Sequence, residues 1–276
     1  MSLCAESMFL NILGIFAIIA VIGYIGLLLF SMTFTNRMLF PIPQSSYKDG
    51  KNSLKITTPS GLKLTANFME NPDAELTLLY CHGNREDVGS SYYNYKPLET
   101  KAGFQVMTFD YPGYGTSEGK PTEASCYEAT ETALNYLTQE KGIPSNKIVV
   151  YGRSLGGGPA CELAIRHKLA GMILEQTYTS VFRIKTGIGI LPADLFENIK
   201  KIDRIGCPLF IIHGKADRLI PVSHSKALYK RAKAPKICLW VDYAGHADSV
   251  LKMAGEDYWK KIEELKQTIL RKDRSV

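Results

Sequence analysis

Six short, unbroken apolar runs, separated by stretches of helical periodicity, set the tightest limit on how this chain folds. They read LTLLY near residues 77–81, FQVMTF over 104–109, KIVVY over 147–151, AGMILE over 170–175, CPLFIIH over 207–213 and ICLWV over 237–241. A strand with one wet face alternates apolar and polar residues, whereas a run without alternation has both faces covered. Strands of that kind pair in parallel with crossover helices on either side, so the expectation is an α/β domain around one mostly parallel sheet. The helices between them are legible as well. Cys126, Ala129, Ala133 and Leu137 share one face behind Ser125 and Glu128, which read as a capping-box pair, and Tyr258, Ile262, Leu265 and Ile269 stripe the last helix. Ahead of the runs, LKITTPSGLKLTANFME holds two alternating stretches around Pro59-Ser60-Gly61, the pattern of an antiparallel hairpin. With 276 residues, 45% of them hydrophobic, the chain can bury one large core, and its 23 Gly and 13 Pro follow no repeat.

The N-terminal segment is built for a different solvent. From Phe9 to Phe30, FLNILGIFAIIAVIGYIGLLLF is 22 residues with Asn11 as its one strongly polar side chain, and no charge falls between Glu6 and Arg37. At about 1.5 Å per residue such a helix crosses a hydrocarbon core of about 30 Å. A cleaved signal peptide has a basic start, a shorter apolar stretch and a small-x-small cleavage site; this run ends in SMTFTN, so an uncleaved transmembrane anchor over residues 1–35 is expected. Residues 36–52, with two prolines and a DGKN turn, read as a linker, and residues 53–276 as the folded domain. Arg37, Lys48 and Lys51 follow the span and no Lys or Arg precedes it, which places that domain on the cytoplasmic side.

Charge and cysteine usage exclude other classes. The net charge is 33 − 27 = +6, and its excess gathers in Lys226 to Lys236 and Lys260 to Arg274 without an aromatic-interleaved basic motif, so these read as solvated helix faces and no nucleic-acid partner is expected. Cys4, Cys81, Cys126, Cys161, Cys207 and Cys238 are far apart, with neither metal-ligand spacing nor a secreted disulfide framework. Cys4, at the membrane edge, is a candidate for acylation.

The pattern G-x-S-x-G occurs twice, around Ser117 and around Ser154, and context separates the two. Gly152-Arg153-Ser154-Leu155-Gly156 follows KIVVY directly and leads into the helical run CELAIRHKL, the strand, tight turn and helix of a nucleophile elbow. Ser117 lies between the loop after Asp110 and Lys120-Pro121 and reads as loop. At an elbow the Ser154 hydroxyl stands at a strand end, and the Leu155 amide, at a helix N-terminus, can hold an oxyanion. A serine hydroxyl also needs a base. Of the five histidines, His167 sits in the helix after the elbow, His82 and His213 precede glycines at strand ends and read as turn-shaping, and His224 lies in the helical run PVSHSKALYKRA. His246, in the loop after the last strand, is the expected base. Asp217, after CPLFIIH, is the expected acid that orients it, with Asp242 and Asp248 as alternatives too near His246 in sequence to need a strand of their own. The second oxyanion donor is expected in Cys81-His82-Gly83-Asn84, at the Asn84 amide, with Arg85 as its neighbour.

In order along the chain, YCHGN, FDYPGYGTSEGKPTE, VYGRSLGGGPA, FIIHGKADRLIP and YAGHAD resemble the α/β-hydrolase superfamily over about residues 53–270. Within it the chain is similar to small membrane-associated α/β-hydrolase-domain proteins, the group that includes eukaryotic protein depalmitoylases. The resemblance implies an eight-stranded sheet whose first pair is antiparallel, with Ser154, Asp217 and His246 as the triad in the chain order of that superfamily. There are two departures: the charged run Arg85-Glu86-Asp87 beside the expected acyl site, and the lack of an N-terminal cysteine cluster. The expected chemistry is transfer of an acyl group from an ester or thioester to Ser154 and then to water, which needs no metal or organic cofactor. About 30 residues separate Glu175 from Cys207, so any cap is short, and GIGILPADLF reads either as one amphipathic cap helix or as a packed crossover. A serine peptidase of the same fold and a non-catalytic scaffold are the other readings.

Overall fold

The computed structural model describes residues 2–50, 53–187 and 194–273. The side chain of Cys4 and most of GIGILPADLF, the candidate cap helix, lie outside the described residues. Helix α1 (Ser2–Leu39) is uninterrupted and contains Ser7–Leu29, a stretch long and apolar enough to cross a membrane and exposed along nearly its whole length. It takes in the first four residues, 36–39, of the stretch 36–52 that the sequence pointed to as a linker, and stops where Pro41 withdraws an amide and restricts Phe40 before it. Beyond Leu39 the chain is docked on the domain: Phe40 is 5% exposed, Ser46 donates to Asp87 from both its amide and its hydroxyl, and the Tyr47 hydroxyl donates to Asp110.

All eight strands implied by the sequence are present: β1 (Leu54–Thr57), β2 (Lys63–Met69), β3 (Thr77–Cys81), β4 (Gln105–Phe109), β5 (Ile148–Arg153), β6 (Gly171–Glu175), β7 (Leu209–Gly214) and β8 (Lys236–Val241). They form one sheet in the order β1-β2-β4-β3-β5-β6-β7-β8. β2 runs antiparallel to β1 and β4, and every other pairing is parallel. Side chains of β3, β5, β6 and β7 are buried throughout, as their unbroken apolar runs required, whereas β8 is an edge strand and only partly covered. Alternate residues feed two cores: Leu79 and Cys81 of β3 join one, Leu78 and Tyr80 the other.

Helices α2 (Tyr92–Thr100), α3 (Glu123–Asn135), α4 (Gly157–Arg166), the short α5 (Arg183–Thr186), α6 (Ser223–Arg231), α7 (Val250–Ala254) and α8 (Glu256–Asp273) complete the order. Apolar faces of α3, α4 and α6 cover one side of the sheet; those of α2, α7 and α8 cover the other. The expected stripe of α8, Tyr258, Ile262, Leu265 and Ile269, is at most 5% exposed. The capping box of α3 needs correction. The helix starts after Pro121, so its cap is Thr122: the Thr122 side chain accepts from Ser125 N at 3.0 Å and the Ser125 hydroxyl accepts from Thr122 N at 2.8 Å. Glu128 instead faces the β1–β2 turn, accepting from the Ser60 amide at 2.8 Å.

Candidate active site

Ser154 stands where β5 ends and one tight turn, Ser154–Gly156, leads into α4. Its φ of +49° lies in the left-handed region, a strained conformation for a residue with a side chain. The glycines around it are required by close approach. A Cβ on Gly156 would lie 2.1 Å from the Cys81 carbonyl oxygen, and one on Gly152 would lie 2.6 Å from that of Gly156. The turn therefore presses against the end of β3, and it is held from behind by the Thr177 hydroxyl, which donates to Ser154 O at 2.9 Å.

The loop after β8 carries His246 over this turn, with Nε2 3.0 Å from Ser154 Oγ. On the far side of the ring, Nδ1 is 2.7 Å from Asp217 Oδ2, in the loop after β7. The other carboxylate oxygen, Oδ1, accepts the amides of Leu219 at 2.9 Å and Ile220 at 2.8 Å. Burial works against charge on Asp217, but hydrogen bonds from His213, His246 and the Ile220 amide outweigh it and hold the carboxyl well below the usual range. An acid kept ionised in this way fixes the imidazole with a proton on Nδ1 and its free Nε2 lone pair toward the hydroxyl. Ser154 is 7% exposed and the His246 side chain 19%, whereas the Asp217 side chain behind them is fully buried.

Asn84, expected to donate its backbone amide, lies just past the β3 end on which Gly156 packs. Its side chain is committed elsewhere: Nδ2 donates to Leu39 O, at the end of α1, at 2.5 Å, and Oδ1 accepts the Tyr114 hydroxyl at 2.6 Å. Leu155 is the first residue after Ser154 and is buried in the same turn.

Residues 77–183 match the family of the α/β hydrolase fold. Over 232 residues the chain is 36% identical to alpha/beta hydrolase domain-containing protein 17B of Homo sapiens, an alignment that covers 82% of this chain and 77% of that protein. The chain belongs to the α/β-hydrolase family. It is also 36% identical over 185 residues to alpha/beta hydrolase domain-containing protein aho-3 of Caenorhabditis elegans, covering 66% of this chain and 56% of that one. Among solved structures, the Pyrococcus furiosus esterase Pf2001 shares the fold, with a TM-score of 0.70 and 18% identity over 84% of this chain and 98% of the esterase.

Within this α/β hydrolase the rival residues have other partners. Ser117 Oγ accepts the Thr65 amide at 2.9 Å and donates to Asp110 O at 3.2 Å, inside the loop that the sequence assigned to it. His224 is bonded to the Thr179 hydroxyl at 2.9 Å, and burial, then the neighbouring His213, lowers its pKa. His167 closes α4 against Glu131, and His82 turns Nδ1 to Gly83 O at 2.8 Å. Asp242 pairs with Lys215, and Asp248 accepts the Gly245 amide.

Two of the three charges after Asn84 are committed to partners within the domain. Asp87 accepts from Ser46 and Ser90, and Glu86 accepts from the Gly83 amide at 2.7 Å and from Arg153. Arg153 and His213 are the supporting residues that sequence reasoning missed. One signal was present for the first: Glu175 closes the buried run AGMILE, and a carboxylate there requires a buried partner.

Proposed function

We propose that this α/β hydrolase is a membrane-anchored serine hydrolase that cleaves acyl esters or thioesters, on lipids or on S-acylated proteins. The observation that carries the reading is the hydrogen-bonded row Ser154 Oγ, His246 and Asp217, spaced at 3.0 and 2.7 Å. In this mechanism His246 Nε2 takes the Ser154 proton as Oγ attacks the carbonyl carbon. The tetrahedral oxyanion is held by the Asn84 and Leu155 amides, and His246 returns the proton to the departing alcohol or thiol. Water activated by the same imidazole then releases the acid and restores Ser154. Asp217 stabilises the imidazolium in both halves without taking its proton.

Anchoring through Ser7–Leu29 supports substrates that are themselves held in a bilayer, because it raises their effective concentration at the site. The basic flank Arg37, Lys48 and Lys51 supports a cytoplasmic domain. The deciding experiment is fluorophosphonate labelling of the full chain in detergent, beside Ser154→Ala and Ser117→Ala, followed by turnover of ester, thioester and peptide series. Labelling lost only in Ser154→Ala, with turnover of acyl substrates, is the expected result. Peptide cleavage alone would make it a peptidase, and a folded wild type that does not label would make it a scaffold.

A further inference from the structure

Arg153 occupies the variable position of the elbow, immediately before Ser154, and its side chain is only 10% exposed. Its guanidinium meets three groups. Nε donates to Glu175 Oε1 at 3.0 Å, Nη1 donates to Glu86 Oε1 at 2.5 Å, and Nη2 donates to the backbone oxygen of His246 at 3.5 Å. Each belongs to a different strand exit: Glu175 ends β6, Glu86 follows β3 and His246 follows β8. Two of the contacts lead onward. Glu86 also accepts the Gly83 amide, one residue before Asn84, and Glu175 also accepts the Tyr151 hydroxyl, which lies 3.2 Å from that of Tyr258.

Burial opposes the guanidinium charge, but Glu175 and then Glu86 outweigh it and raise its pKa above the ordinary arginine value, so this is a permanent cation. A planar fork reaches three acceptors in fixed directions, whereas an ammonium on a flexible stem is a point charge. We infer that Arg153 is the positioning residue of this site: a three-armed clamp that holds the Gly83–Asn84 loop and the His246 loop in register with Ser154. The inference rests on the serine-hydrolase reading above. Misplacement of reacting groups by about 1 Å costs on the order of a hundredfold in rate, which sets the size of the effect.

The test uses the full chain in detergent, with Arg153→Lys, Glu86→Gln and the double variant. It measures kcat and KM for a soluble short-chain ester, the rate of fluorophosphonate labelling, and the thermal midpoint. Arg153→Lys is expected to lose about thirtyfold to a hundredfold in kcat and in labelling rate, with KM within about twofold, and Glu86→Gln about threefold to tenfold. Because Arg153 reaches the Gly83–Asn84 loop through Glu86, the two act in series on that arm and the double variant should be no slower than Arg153→Lys alone. In Arg153→Ala, added ethylguanidinium should restore part of the labelling rate. The clamp is overturned if either single variant, folded, keeps kcat within twofold, or if the two losses multiply and guanidinium restores nothing. If Arg153 variants do not fold, Glu86→Gln decides by the same criterion. A wild type that fails to label brings down the hydrolase reading itself, whereas a labelling wild type with unaffected variants brings down the clamp alone.

Discussion

His213 Nε2 lies 3.2 Å from Asp217 Oδ2, the same oxygen that His246 meets at 2.7 Å. His213 is fully buried, with Nδ1 2.7 Å from the Ser225 hydroxyl and Nε2 2.8 Å from the Ile220 carbonyl oxygen. Its ring is held at both nitrogens, and it supports the same carboxylate oxygen that meets the base. Replacing Asp217 with Asn should lower kcat for an acyl ester about ten-thousandfold with KM little changed. His213→Phe keeps the ring volume and removes the polar support, and should cost about tenfold in kcat. Steady-state ester hydrolysis by the full chain measures both.

The same hydrogen bonds make stability depend on pH. The folded state holds Asp217 below its unfolded value, so the stabilisation is fully present above the unfolded pKa of about 4 and is lost as pH falls through the depressed folded value. Wild type should therefore exceed Asp217→Asn in unfolding free energy by on the order of 2 kcal/mol near neutrality. Urea unfolding of both chains between pH 7 and pH 3 should show that gap constant above about pH 5 and shrinking below about pH 4.

Ser117 carries the second G-x-S-x-G and a structural task. In Ser117→Ala the Thr65 amide loses its acceptor, so stability should fall by about 1 to 2 kcal/mol while ester turnover stays within twofold of wild type. Thermal unfolding and an esterase assay on one preparation decide this.

Gly156→Ala places a methyl group 2.1 Å from backbone oxygen of Cys81, which cannot rotate away. Either β3 or the elbow must shift, so the variant should unfold at least about 3 kcal/mol more easily and label slowly with fluorophosphonate. A chain that labels at the wild-type rate would contradict the packing of this turn against β3.

Docking of the segment after α1 predicts that its removal destabilises the domain. The Phe40 ring is 6.3 Å, edge to face, from that of Phe196, which packs on Gly158 of α4, and Leu39 O holds Asn84. Phe40→Ala should cost about 3 kcal/mol, and a chain that begins at Pro43 should melt below the full chain in the same detergent and hydrolyse esters more slowly.

Much of this architecture is written in local pattern. Unbroken runs such as KIVVY and AGMILE announce strands covered on both faces, and a strand that ends in Gly-Arg-Ser-Leu-Gly-Gly-Gly has few ways to turn without a clash. Ser154, Asp217 and His246 were accessible for the same reason: each follows a strand, and strand ends in a parallel sheet converge on one edge. Boundaries set by competition between neighbours were less accessible. Thr122 displaced Ser125 as the cap of α3 because Pro121 brought the helix start forward, and α1 ran on to Leu39 because no residue before Pro41 stops a helix.

By itself, then, the sequence determined the layers, the eight strands and the three residues of the hydrogen-bonded row, since period and strand-end placement are properties of adjacent residues. Only the tertiary structure decided the support beneath them. Arg153 finds Glu175 22 residues away and Glu86 67 residues away, and Asn84 finds Leu39 at a separation of 45. Nothing in a run of neighbours encodes such pairs, because a buried charge takes whichever opposite charge the folded sheet brings within reach.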